Sequence, residues 1–379
     1  MKILAITGSR ADWGLMVPVL NRLRDDPAFE LQILATGQHL MGDRASLAAI
    51  STEGHKVDWQ VDMGLSDDDS PDMLARGMGA ALAGVGEVLA RSRPDIQLVF
   101  GDRYEILATV LAATVATVPV AHVFGGDVTE GAIDDAIRHA ITKLASVHFA
   151  TNQDSADRIL QMGEDQSRVH NVGSTGIDRI LDLAPLPHDD FFASVGLAPR
   201  ASNIVITFHP ETLAEGTVAH ARAMLQALDQ FPDAGLIFTG SNADPGARDI
   251  DDLVTEYAEA RDNAVFHAAL GSQRYFSALT HCDLVVGNSS SGIMEAPSFN
   301  LPTVNIGDRQ ARRPRATSVI DCPPQVAAIV KAIRAGLALE CRDVKNPYGD
   351  GHAADRIVAI LAAIARPEAL VRKSFVDLP

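Results

Sequence analysis

Cysteine is scarce in this 379-residue chain: Cys282, Cys322 and Cys341 are the only three, and they lie far apart. They show no metal-ligand spacing and are too few for a disulfide framework, which points to a reducing, cytoplasmic setting. Positive charge is also in deficit. With 32 Lys and Arg against 49 Asp and Glu, the formal net charge is -17. Such a field repels nucleic acid and anionic membrane surfaces at long range, while a small anion can still be held locally. Long apolar runs are missing too: the opening MKILAITGSR is too short and too polar for a signal-peptide core. No later stretch reads as the roughly 20 apolar residues that cross a bilayer, so a soluble protein is expected. There is no tandem repeat. Neither GxxxxGK[ST] nor GxGxxG occurs, which takes weight from ATP and NAD as ligands.

What is present is a globular composition, 47% hydrophobic and 21% charged, long enough for two domains with their own cores. Short apolar runs ending in Gly, Ser, Thr or Asp alternate with segments of helical period, the pattern of parallel βαβ units. KILAITG, LQILATG, IQLVFGD and VPVAHVFGGD read as strands of one sheet, with LMVPVLNRLRDD and MLARGMGAALAGVGEVLARS as helices between them. A proline-bearing stretch around residues 181–202 breaks the alternation and reads as an interdomain connection. NIVITFHPE, AGLIFTGSN, NAVFHAAL, CDLVVGNSS and LPTVNIG then give a second series. The expected fold is α/β, with two Rossmann-like doubly wound domains over residues 1–180 and 200–350 facing a cleft. A final helix within 351–379 is expected to pack back on the first domain. The acidic run SDDDSPD at 66–72 reads as a solvated loop.

Open α/β sheets bind ligands beyond the carboxyl ends of their strands, so the residues there are the candidates. In the second half, CDLVVG followed by SSSGIMEAPS is a strand running into a helix start. The backbone N–H groups of Ser290, Ser291 and Gly292 and the neighbouring hydroxyls would make a phosphate seat with a positive helix end behind it. GDRQARRPR then supplies Arg309, Arg312, Arg313 and Arg315, whose forks match phosphate oxygens. Glu295, one turn on, suits ribose hydroxyls. Gly240 and Asn242 stand at another strand end, as do His209 and Glu211.

In the first half, Arg10 follows the first strand, and Asp102 and Arg103 follow the third expected strand run, IQLVFGD. Asp127 follows a glycine pair that permits a tight path over a ligand. Asp134 and Arg138 top a stripe with Ile137, Ile141, Leu144 and Ala145. Taken alone, Asp134 and Arg138 suit an ordinary i,i+4 ion pair. Three carboxylates near one glycine cluster suit proton transfer. A diphosphate seat in one domain and acids in the other imply a nucleotide sugar. No metal-ligand spacing is evident, and no cofactor is expected.

The stretches TGSRADWG, GDRYE, GGDVTEGAIDDAIRHAITK, FHPET, GSNAD, GNSSSGIMEAPS and NIGDRQARR give the chain a close resemblance, along nearly its whole length, to the hydrolysing UDP-N-acetylglucosamine 2-epimerases of bacterial sialic-acid-type biosynthesis. The resemblance implies a glycosyltransferase-B fold and a UDP-sugar substrate. It also implies elimination of UDP to a glycal, followed by addition of water to release the 2-epimer. Asp102 and Asp134 carry over as catalytic carboxylates and His209 as a catalytic or phosphate-side residue. Arg10, Ser289, Ser290, Glu295 and Arg309 match UDP-contacting positions. Relatives also associate, and a homo-oligomer, dimer or tetramer, is expected.

The chain departs from one family pattern: Phe124 in HVFGGD occupies a slot where some relatives carry a catalytic Glu. Asp127 is expected to take over part of that work. Relatives divide between UDP-N-acetylglucosamine, giving N-acetylmannosamine, and UDP-2,4-diacetamido-trideoxyglucose on the way to legionaminic acid. An inverting glycosyltransferase and a catalytically silent nucleotide-sugar binder are the rival readings.

Overall fold

The computed structural model describes residues 1–377 apart from 43–44, 66–69, 130–132, 211–215, 242–246 and 312. Glu211, Asn242, Arg312 and the acidic residues 67–69 therefore lie outside the described residues. The chain forms two units: Met1–Arg179 with Tyr348–Pro379, and Ile180–Pro347.

The first unit is built on a parallel sheet of β1 (Lys2–Thr7), β2 (Glu30–Ala35), β3 (Trp59–Gln60), β4 (Ile96–Phe100), β5 (Val120–Val123), β6 (Val147–Ala150) and β7 (Val169–Asn171). Its order is β3-β2-β1-β4-β5-β6-β7. The inner strands β1, β4, β5 and β6 are short, mostly apolar runs buried on both faces, as a parallel sheet under two helix layers requires. Side chains alternate across β1: Ile3 and Ala5 join one core cluster, and Leu4 and Ile6 join the other, following the period of two. The first cluster is covered by the helix Arg10–Asp25 and by the final helix Ala353–Ala362, whose Ala354, Ile357 and Leu361 are fully buried in it.

Pro18 lies inside the helix Arg10–Asp25. Its missing N–H leaves the Gly14 carbonyl without a helical donor. Arg179 fills that place, donating to Gly14 O at 3.0 Å.

The second unit holds β8 (Ser202–Thr207), β9 (Ala234–Thr239), β10 (Ala264–His267), β11 (Leu284–Gly287), β12 (Thr303–Ile306) and β13 (Val319–Cys322). Its sheet is parallel, in the order β10-β9-β8-β11-β12-β13. In each sheet the strand order reverses once, between β1 and β4 and between β8 and β11. Those reversals are where the loops of neighbouring strands diverge and leave a crevice.

Two expectations change. The stretch around 181–202 is not a bare connection: it contains the helix His188–Val195 and belongs to the second unit. Its prolines bracket that helix instead of breaking it, with Pro187 at the N-cap, and Phe191 and Phe192 are buried. The helix Pro71–Ser92, with 22 residues and an 18-residue window of mean hydropathy 1.3, is by length and composition long and apolar enough to cross a membrane. Its Gly and Ala content conceals that length from a search for bulky apolar runs. On its inner face Val85, Val88 and Leu89 are buried with Leu4, Ile6 and Leu34 of the first sheet, and Ala81 with Ala108.

Candidate active site

The reversal between β1 and β4 places Gly8–Arg10 beside Gly101–Arg103. After β1, Ser9 caps the helix Arg10–Asp25, and a capping box with Asp12 closes the turn. The Asp12 carboxylate accepts from the backbone N–H groups of Gly8 at 2.8 Å and Ser9 at 2.7 Å. Asp12 is thus consumed in shaping the loop, and Arg10 is left exposed on the first helical turn. A Cβ on Gly8 would lie 2.6 Å from Cγ of Glu105, so glycine is needed there for close packing.

Asp102 stands just beyond β4, after Gly101 at φ +75°. Its carboxylate accepts from Arg138, which also donates to the Asp127 carbonyl at 3.0 Å and to Thr129 Oγ1 at 3.0 Å. The Arg138 side chain is 8% exposed and that of Asp102 23%. Arg138 therefore pairs with Asp102, and within its own helix it approaches Asp135 at 3.7 Å; the i,i+4 reading with Asp134 is replaced. Burial pushes the Asp102 carboxyl above the usual aspartate range. Arg138 opposes that shift, the negative charge of Asp134 adds to it, and Arg103 opposes it more weakly. A carboxyl near one like and two unlike charges, partly out of water, is suited to holding or releasing a proton.

The structure brings together Asp102, Arg138, the Asp127 backbone and, through its field, Asp134. The Asp127 carboxylate has other partners: it accepts from Thr151 Oγ1 at 2.9 Å and from the Ser155 hydroxyl. Arg103 pairs with the fully buried Glu105 and lies over the Tyr104 ring at 5.4 Å. The Glu105 carboxyl is pushed up by burial, against the pull of Arg103, and its Oε2 has no partner among the described residues. Phe124 has φ +71°, and its ring meets Phe100 edge-on at 5.9 Å. The slot that some relatives fill with a carboxylate is here joined to the core.

In the second unit, β8 ends before Phe208 and His209, and β11 ends at Gly287. Gly287 has φ +137°, and a Cβ there would run into the Thr207 carbonyl, so only glycine fits between the two strands. The next residue, Asn288, is fully buried. Its Oδ1 accepts from His209 N–H at 2.7 Å and its Nδ2 donates to His209 O at 2.9 Å. Its own carbonyl accepts from Arg309 at 3.2 Å and Gln310 at 3.0 Å. One side chain and one carbonyl thus gather His209, Arg309 and Gln310 beside Ser289.

The seat itself is smaller than expected. The helix is only Ser290–Met294, five residues capped by Ser289, too short for a full helix dipole, so positive charge depends on Arg309. The Ser291 hydroxyl donates to Glu295 and receives from Tyr275 Oη at 2.7 Å, so it is spent on positioning Glu295. Burial pushes the Glu295 carboxyl up, partly offset by that Ser291 bond. Gly292 packs on Thr303, where a Cβ would lie 2.7 Å from Cγ2. Gly240 abuts the Ala268 carbonyl, 2.6 Å from a would-be Cβ. Arg313 meets the Met294 sulfur at 3.2 Å and Arg315 pairs with Asp321 at 2.7 Å. Among the described residues no group of three or more His, Cys, Asp and Glu side chains could hold a metal ion.

Two parallel-sheet units, one presenting a half-buried carboxylate paired with Arg138 and the other a Ser-Arg seat, define a nucleotide-sugar enzyme fold. The family model described as UDP-N-acetylglucosamine 2-epimerase matches residues 21–362, and the chain belongs to that family. It is 34% identical over 322 residues, 84% of each chain, to a GDP/UDP-N,N'-diacetylbacillosamine 2-epimerase (hydrolyzing) of Campylobacter jejuni. It is 32% identical, over 98% of each chain, to a UDP-N,N'-diacetylbacillosamine 2-epimerase (hydrolyzing) of Legionella pneumophila. A crystal structure of UDP-GlcNAc 2-epimerase from Neisseria meningitidis bound to UDP-GlcNAc superposes with a TM-score of 0.76 at 20% identity, covering 95% of this chain and 99% of that one. The fold is the glycosyltransferase-B fold, and the protein is an enzyme of the UDP-sugar epimerase type.

Proposed function

We propose that this enzyme is a hydrolysing UDP-N-acetylglucosamine 2-epimerase, converting UDP-N-acetylglucosamine and water to N-acetylmannosamine and UDP. The observation that carries the reading is Asp102, bonded to Arg138 and shifted upward by burial at a sheet reversal. In the first half-reaction a base takes the C2 proton, the C–H electron pair becomes the C1–C2 double bond, and UDP leaves with the C1–O pair. Water then adds its oxygen to C1, and C2 regains a proton on the opposite face. Asp102 and Asp134 serve these proton transfers, with Asp127 assisting. Ser289, Ser290 and Arg309 hold the diphosphate and stabilise it as it departs, Glu295 accepts from the ribose, and His209 serves the phosphate side. A cytoplasmic setting accords with three cysteines that are all buried free thiols. Exposed Leu82, Leu111 and Val115 support self-association.

A second reading, UDP-N,N'-diacetylbacillosamine as substrate, is favoured by the names of the two relatives at 34% and 32% identity. That sugar differs at C4, an acetamido for a hydroxyl, and at C6, a methyl for a hydroxymethyl. The test is incubation with each UDP-sugar in D₂O, following UDP and free sugar by NMR. Equal amounts of UDP and a 2-epimeric sugar carrying one deuterium at C2 are expected, and the faster substrate decides between the readings. UDP release without an epimerised sugar, or release only when an acceptor is added, rejects both.

A further inference from the structure

We infer that His122 is a positioning residue for Asp102, holding the Gly101 carbonyl through one ring nitrogen and keyed through the other to Thr142, on the helix that carries Asp134 and Arg138. The inference rests on the epimerase reading only for its catalytic consequence. His122 lies in β5 with none of its surface exposed, so contact with a substrate is ruled out and its effect must be relayed. Its Nε2 is 2.8 Å from the Gly101 carbonyl and its Nδ1 is 3.3 Å from Thr142 Oγ1.

These partners determine the tautomer. A carbonyl can only accept, so Nε2 carries the proton. Burial pushes the ring pKa down to about 3, so the ring stays neutral and Nδ1 accepts from the Thr142 hydroxyl. The Gly101 carbonyl belongs to the rigid peptide plane whose N–H is that of Asp102. Pinning its oxygen, at a residue with φ +75°, therefore fixes how Asp102 leaves the strand. Arg138 holds the carboxylate of the same residue. Asp102 is thus gripped at its backbone from β5, through His122 keyed to Thr142, and at its side chain by Arg138 from the helix Ile133–Leu144. Gly125 fits this arrangement: a Cβ there would lie 2.8 Å from Thr142 Oγ1 and 3.0 Å from His122 Nδ1. The first glycine of HVFGGD makes room for the His122–Thr142 contact.

The test compares His122→Leu, which removes both bonds, with His122→Gln, whose Nε2 can still donate to the carbonyl, and with Thr142→Val. A small displacement of a catalytic group can cost about 10²-fold in rate. His122→Leu is expected to lower kcat by about 10- to 100-fold with KM within about twofold, His122→Gln to recover most of that, and Thr142→Val to lose only several-fold. A readout independent of turnover is the carboxyl titration of Asp102, followed by ¹³C NMR. Arg138, Arg103 and Asp134 face Asp102, and His148, Arg138 and His139 act on His122; all remain in the variants. Asp102 is expected to titrate above ordinary aspartate in the wild type and in His122→Gln, and to fall toward it in His122→Leu. Identical kcat and Asp102 titration in His122→Leu and the wild type would overturn the inference, as would His122→Gln behaving like His122→Leu. If the wild type turns over neither UDP-sugar, the epimerase reading fails while the titration still decides the role of His122.

Discussion

At the β1/β4 reversal the first unit holds its key residue with charge, and at the β8/β11 reversal the second unit holds its own with a neutral amide. Asp102 is gripped by the Arg138 guanidinium, whereas His209 is gripped by Asn288, which returns both its backbone hydrogen bonds. The two solutions suit the two tasks proposed for these residues. A group that must gain and lose a proton needs neighbours of both signs to poise it. A seat for an anion needs donors in fixed places, and a fully satisfied neutral side chain supplies rigidity without adding negative charge near a diphosphate. The largest prediction tests that division. Asp102→Asn is expected to depress kcat by about 10² to 10⁴, as loss of a general acid or base does, with UDP affinity by calorimetry unchanged; Asp134→Asn should follow it. A matching loss of UDP affinity would show that the division is false.

The converse change is Asn288→Ala. It frees the His209 backbone inside a buried pocket, and each buried polar group left unpaired costs about 1–3 kcal/mol. UDP is expected to bind about tenfold or more weakly, and the urea midpoint to fall, while kcat at saturation changes less than in Asp102→Asn. Arg309→Ala is a milder version, removing one charge that is itself positioned by the Asn288 carbonyl. An expected loss of about tenfold in UDP affinity corresponds to about 1.4 kcal/mol, and it should shrink as salt is raised.

The strands that end in these residues were legible because LVFGD, VITFHPE and LVVGNSS each put a polar residue directly after an apolar run. β6, β7 and β13 carry weaker signals and are found only by their pairing with neighbours. The site residues split along the same line. Asp102, Asp134, His209 and Arg309 stand at element ends, where sequence alone marks them. Their supports do not. Arg138 reaches Asp102 across 36 residues, so a local reading assigns it to Asp134, four positions away. Thr151 and Ser155 meet Asp127 across 24 and 28 residues. Glu105 sits inside GDRYE, yet near a helix start it reads as a dipole-matching acid. Only the fold shows it buried beneath Gly8. His122 and Asn288 had one available signal, a polar side chain within or immediately after an otherwise apolar strand, which must find partners if buried.

A deeper contrast between the units lies at the far end of the helix Ile133–Leu144. Lys373, from the C-terminal tail, donates to the carbonyls of Lys143 at 2.7 Å and Ala145 at 2.6 Å, just where the helix Ile133–Leu144 ends. It also pairs at 2.7 Å with Glu164, which is 2% exposed. The tail therefore closes the helix that carries Asp134 and Arg138 with a charged donor, whereas the second unit's five-residue seat helix is closed by a neutral one, Asn346 Nδ2 donating to the Met294 carbonyl at 2.7 Å. Lys373→Met should lower stability by about 2–4 kcal/mol in urea, because it takes a partner from a buried carboxylate. The loss is held below the upper end by Lys143 and His148, which remain bonded to Glu164.

The smallest effect is one of slope. His122 is held near a pKa of about 3 by burial, against an ordinary value of 6.5. A group whose folded pKa is depressed lets the unfolded chain bind a proton that the native state refuses. Its contribution to stability is therefore present above pH 6.5 and lost as pH falls toward 3. His148 is shifted the same way, by burial against its Glu164 bond. Burial pushes Asp102, Glu105 and Glu295 up instead, so they favour the fold as pH falls. Wild-type stability alone mixes these signs, and the difference between wild type and His122→Gln separates them. Since glutamine does not titrate, the wild type should lose stability relative to the variant by up to one proton's worth, about 1.4 kcal/mol per pH unit, between pH 6 and 4.5 in urea titrations. Parallel curves for the two proteins across that range would mean that the His122 ring takes up its proton in the native state as it does in the unfolded chain; Nδ1 could then no longer accept from Thr142, although Nε2–H would still donate to Gly101.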